Sequence, residues 1–142
     1  MTSERNSSEL AERIVEAMNG HDADRVAALV AEEYRSETPA HPGRNFTGRE
    51  QVRENWRTVF ENTPDVRATV LRSTHEERTL WMELHVTGTQ LDGTTLDLRG
   101  VMIWEVTNGI LQRGRIYMEP VENAEETTWE EFYTVEEPSP TE

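Results

Sequence analysis

TLWMELHVTGTQLDGTTLDLRGVMIWEVTNGILQRGRIYMEP, residues 79–120, holds the reading that decides the fold. Its apolar residues recur at every second position, which is the period of a strand. Leu80, Met82, Leu84 and Val86 share one face, and Trp81, Glu83, His85 and Thr87 share the other. Asp92-Gly93 and Asn108-Gly109 suit tight hairpins, because both pairs tolerate a positive φ. Strands are therefore expected over 79–90, 95–106 and 110–120, joined in sequence as an antiparallel meander. A fourth, over 66–74, precedes them across a turn at Glu76-Glu77.

Upstream of residue 66 the period is helical. Leu10, Ile14, Ala17 and Met18 fall at helical spacing, and Asn19-Gly20 ends that helix, with glycine expected in the left-handed C-terminal conformation. Asp22 can cap a second, shorter helix carrying Val26, Leu29 and Val30. A brief extended piece over 34–38 stops at Pro39, and His41-Pro42-Gly43 reads as loop. Thr47-Gly48-Arg49-Glu50 reads as a capping box for a third helix, with Val52, Trp56, Val59 and Phe60 as its apolar stripe. Helices first and strands afterwards indicate an α+β domain, helices packed on one face of a curved sheet. One domain is expected over 1–122, followed by an acidic tail over 123–142. Trp129, Phe132 and Tyr133 would let 128–133 of that tail dock on the sheet or on a partner.

The chain carries 28 acidic against 14 basic residues, a net charge of −14, and every cation is an arginine. That balance argues against nucleic acid or an anionic membrane surface as partner, since phosphate binding needs clustered cations. No cysteine is present, which excludes disulfides and thiolate chemistry. The first twenty residues lack the apolar region of a secretory signal, and no run of about 18 apolar residues exists. The expected location is the cytoplasm.

The order of these elements, with certain strings inside it, resembles the nuclear-transport-factor-2-like superfamily and, within it, the SnoaL-like group of polyketide cyclases and ketosteroid isomerases. The strings are Asn19-Gly20-His21-Asp22, Leu29-Val30-Ala31-Glu32-Glu33-Tyr34, Phe46-Thr47-Gly48-Arg49-Glu50, Val86-Thr87-Gly88-Thr89, Arg99-Gly100-Val101, Asn108-Gly109-Ile110 and Arg115-Ile116-Tyr117-Met118-Glu119. The resemblance covers roughly residues 8 to 122. It implies a cone-shaped barrel, in which a strongly bent, mostly antiparallel sheet wraps the helices around a pocket at the open mouth. It also implies homodimers formed through the sheet.

A fold of this kind hosts enzymes and binding modules alike, so function has to be argued from the site. Ketosteroid isomerisation needs a carboxylate base, a tyrosine and a protonated aspartate. The positions resembling these hold Thr38, Ile14 and Met102, none of which can do that work. A cyclase of this group uses an acidic residue near the end of the last strand, and Glu119 is the nearest match. In an apolar mouth its pKa would rise toward useful values, whereas a partner such as Arg115 or Arg113 would lower it and spoil the base.

Alternation places Arg115, Tyr117 and Glu119 on one face of the last strand, either lining the pocket or lying on a wet surface. Tyr117, Tyr34 and His41 are candidate donors or helpers, Arg115 a candidate orienter, and Ile14, Trp56, Met102 and Trp104 candidate pocket wall; His85 is a further possible base. Each has an ordinary structural alternative as a core or surface residue. The histidines, His21, His41, His75 and His85, contain no i, i+4 pair, so no metal is expected. Glycine motifs for phosphate are absent, so no cofactor is expected. Two functions stand side by side: cofactor-free acid–base chemistry on a small apolar carbonyl compound, or non-catalytic binding of a small apolar molecule. Arginine and acid on the last strand leave both open.

Overall fold

A computed structural model describes residues 8–122. The proposed tail over 123–142, with its 128–133 docking segment, lies outside the described residues. Three helices come first: α1 (Glu9–Asn19), α2 (Ala23–Ala27) and, after two strands, α3 (Arg49–Asn62). The strands are β1 (Val30–Glu37), β2 (Phe46–Thr47), β3 (Arg67–Glu76), β4 (Thr79–Thr89), β5 (Thr95–Thr107) and β6 (Ile110–Pro120). They form one α+β sheet in the order β2-β1-β6-β5-β4-β3. All neighbours are antiparallel except β1 and β6, which run parallel. The sheet is not closed, β2 and β3 being its edges, and the mostly antiparallel α+β architecture is the one expected. Register shifts at Val30/Arg35, Val70/Arg72 and Glu105/Val106 supply local bends.

The meander over β3 to β6 follows the expected alternation. Leu80, Met82 and Leu84 are fully buried, and Trp104, Val106, Leu111 and Met118 join them beneath α1, α2 and α3. Side chains of the opposite parity point away from the helices. Asn108 and Gly109 both take positive φ, 53° and 77°, as a tight hairpin with right-twisted strands requires.

Three local expectations are corrected. Gly20 is right-handed at φ −77°, and the left-handed residue is His21 at φ 55°. The reason lies in the side chains around it. Asn19 clamps the start of β3, donating from Nδ2 to Ala68 O at 3.0 Å and accepting from Ala68 N at 2.8 Å. His21 Nε2 meets Val66 O at 2.7 Å, and its ring stacks on Phe60. The second helix stops at Ala27, so Leu29 lies beyond it and Val30 opens β1. Thr47 is no cap, because it pairs with Arg35 in β2. The cap position is Gly48, at φ 104°, whose amide donates to Tyr34 O at 2.7 Å. Glu50 bonds Arg53 instead of reaching back.

Candidate functional site

A cavity of about 170 Å³ lies between the helices and the inner face of the sheet. Ile14 comes to it from α1, Tyr34 and Ser36 from β1, Trp56 from α3, and Met102 and Trp104 from β5. Its wall is apolar apart from Tyr34, Ser36 and Asn55, and among the described residues no Asp, Glu or His lines it. Alternation explains the contribution of β1: Tyr34 and Ser36 are two apart, so both point inward and are buried.

Burial pushes the Tyr34 hydroxyl up to about 12, although bonds with Trp104 and Ser36 oppose the shift. The phenol therefore stays protonated at any ordinary pH. Trp104 Nε1 donates to it at 2.9 Å. Gly114 of β6 lies directly beneath that bond, and a Cβ there would run into Tyr34 Oη and the Trp104 ring.

The last strand is oriented the other way from the pocket-lining expectation. Leu111, Gly114 and Met118 are its buried residues, with Ile116 between the last two in the cavity wall. Arg115, Tyr117 and Glu119 share one face, as alternation requires, but that face is the outer one. Tyr117 is 41% exposed, and the Glu119 side chain is 60% exposed. The physical reason is plain: Gly, Ile and Met bury at lower cost than Arg, Tyr and Glu.

Neither arginine pairs with Glu119. Arg113 donates to Glu37 at 2.7 Å and Arg115 donates to the same carboxylate at 3.2 Å, with Arg35 at 3.6 Å. Glu119 instead lies 3.5 Å from His41 Nε2, a pair at the outer edge and apart from the cavity wall. His85 also faces outward, bonded through Nε2 to Asp97 at 2.7 Å. Thus Ile14, Tyr34, Trp56, Met102 and Trp104 come together around the cavity, while Glu119, Tyr117, Arg115 and His41 stand outside it. Sequence reasoning missed Ser36, Phe46 and Ile116. Ser36 had a signal, since it shares the parity of Tyr34.

Arg113 first, then Arg115, holds the Glu37 carboxyl below its usual range, against some opposing burial. A carboxyl with a lowered folded pKa contributes stability that is fully present above its unfolded pKa and is lost as pH falls through the folded one. Glu37→Gln is therefore expected to be less stable than the wild type at pH 7. The gap should begin to narrow once the pH falls below the free carboxylate's value of about 4.3 and shrink further as the folded carboxyl protonates. Urea unfolding at pH 7 and at pH 3 reads both; an equal deficit at the two pH values would contradict the assignment.

The model of the SnoaL-like domain family matches residues 11–113, well over half of the chain. The chain belongs to the SnoaL-like domain family. No curated protein matches this SnoaL-like chain by sequence. Among solved structures, it is similar to a Catenulispora acidiphila protein with a ketosteroid isomerase-like fold, crystallised with trimethylamine. The two share 15% identity at a TM-score of 0.70, over 78% of this chain and 85% of that one. A Jannaschia protein provisionally assigned as a SnoaL-like polyketide cyclase matches at 20% identity and a TM-score of 0.66, over 78% and 83%. An M. tuberculosis epoxide hydrolase of the LEH-like type matches at 14% identity and 0.67, over 78% and 80%. At these identities the likeness concerns the fold. Among the described residues of the SnoaL-like chain, no helix is long and apolar enough to cross a membrane.

Proposed function

We propose that this SnoaL-like protein binds a small, neutral, mostly apolar molecule in the cavity between helices and sheet, without acid–base chemistry of its own. The observation that carries the reading is the wall: apolar side chains and three neutral polar groups, with no carboxylate or imidazole among the described residues. A proton acceptor has to stand within hydrogen-bond reach of the carbon acid or of a bridging water. Glu119, the residue that would have served, is on the far side of the sheet. The size fits a single ring, since a dry engineered cavity of roughly 150 Å³ takes up benzene.

The test is calorimetric titration with methylenecyclohexane. The wild type is expected to bind it, Glu119→Gln to bind it equally well, and Met102→Trp, which fills the cavity, to lose at least tenfold in affinity. If a carbonyl compound is turned over and Glu119→Gln abolishes that turnover, the acid–base reading replaces this one.

A second part of the proposal is a homodimer through the outer sheet face. Trp81 stands opposite Ile103 there, and Val101 opposite Tyr117. Trp81 is 47% exposed and Tyr117 hardly less, so the four form a contiguous apolar patch open to solvent. Sedimentation at micromolar concentration measures the association.

A further inference from the structure

Trp104, Tyr34 and Ser36 line the same wall of the cavity and touch in series. Trp104 Nε1 donates to Tyr34 Oη at 2.9 Å, and the Ser36 hydroxyl interacts with the same phenol. All three residues are buried, Tyr34 at 5% exposed. An indole N–H can only donate, so the direction of the series is fixed at that end. The three groups carry three donor hydrogens and can make at most two bonds among themselves. However the hydroxyls rotate, one O–H hydrogen finds no partner within the series. A buried donor left unmet costs about 1–3 kcal/mol. The other polar group in the wall is not placed to take it: Asn55 is exposed, and its Oδ1 already accepts from Gln51 at 2.8 Å.

We propose that this surplus hydroxyl hydrogen is the specificity element of the cavity. It selects molecules that carry a neutral oxygen acceptor, such as a ketone, ester or ether, over hydrocarbons of the same shape. The inference rests on the cavity-binding reading and adds to it the chemistry of the guest. Trp104 strengthens the selection, because a phenol that accepts a hydrogen bond becomes a better donor in turn. The same polarity disfavours guests whose polar group is a cation such as an ammonium, since it offers a hydrogen where the guest would need a lone pair. Gly114 makes the arrangement possible by leaving the space into which the indole and phenol close. Removing the hydroxyls alone is not enough to abolish the effect, because Trp104 Nε1 then loses its acceptor and still has a hydrogen to offer.

The probes are cyclohexanone and methylenecyclohexane, which differ by C=O against C=CH2. Their dissociation constants are measured for the wild type and for Tyr34→Phe/Ser36→Ala/Trp104→Phe, which removes all three donors, with circular dichroism confirming that the variant is folded. The ratio of ketone to alkene affinity is expected to fall about tenfold in the triple variant, the worth of one hydrogen bond. An unchanged ratio overturns the inference while leaving the cavity reading intact. If neither compound binds the wild type, both fall. Should the triple variant fail to fold, the infrared carbonyl stretch of cyclohexanone bound to the wild type decides. A shift below its value in alkane solvent supports the donor, and an unshifted band refutes it.

Discussion

Gly114→Val is expected to destabilise the protein by about 4 kcal/mol and to lower its melting temperature by about 13 °C. Two costs add. The new side chain has to occupy space already held by Tyr34 Oη and the Trp104 ring, and neither can retreat without shifting the strand that carries it. Overpacking of this kind costs about 1–3 kcal/mol. Pushing the rings apart also strands Trp104 Nε1, a buried donor whose partner is the Tyr34 hydroxyl. Differential scanning calorimetry reads the stability, and near-ultraviolet circular dichroism reads the Trp104 environment. Wild-type melting with an unaltered aromatic spectrum would mean that the Tyr34–Trp104 contact is not built over Gly114. Glycine at this position is thus explained by what lies above it, since β6 there is ordinary extended strand.

Trp81→Glu is the second large effect, and it reads association instead of folding. Trp81 projects from the outer face next to Ile103, so truncating it removes little from the core under the helices. A central tryptophan at an interface is commonly worth at least 2 kcal/mol. Burying a carboxylate in its place adds the cost of desolvating an unpaired charge. The dimer dissociation constant should rise by more than about 100-fold, with monomer stability nearly unchanged. Sedimentation velocity across a concentration series measures the first, and urea unfolding of the monomer the second. A wild type that sediments as a monomer, or a variant that dimerises as well as the wild type, removes the sheet-to-sheet dimer.

The meander was legible because each of its strands is long enough for alternation to be unambiguous and is followed by a turn with its own chemistry. Alternation sorts side chains into two sets but does not label which set is inside. On β4 the two sets were plain, Leu80, Met82 and Leu84 against Trp81, Glu83 and His85, but the pattern left open whether helices or a second subunit cover the apolar one. On β6 the inward set, Gly114, Ile116 and Met118, was also the more apolar. The chemical interest of Arg115, Tyr117 and Glu119 had pointed the other way. Ile14, Tyr34, Trp56, Met102 and Trp104 lie around the cavity because core-facing positions on converging elements are also where a cavity opens. Two things were not legible. β2 is two residues long, too short to show a period. The pairing of β1 with β6 depends on partners far apart in the chain, and no local pattern names a distant partner.

That pairing has a consequence for how the molecule comes into being. Arg115 bonds Glu37 across a sequence separation of 78 residues at one end of the seam, and Leu111 N bonds Leu29 O at the other. Early helices and their first strand therefore emerge with no neighbour on one side, and the hydrophobic chamber lacks its floor until nearly all described residues have been made. Closing a seam between distant segments is slow, because the entropy of drawing the ends together is spent before contacts return it. A nascent chain stopped short of the final strand would leave the facing edges of β1 and β5 unpaired, which makes the closing strand the step that turns two open edges into a finished container.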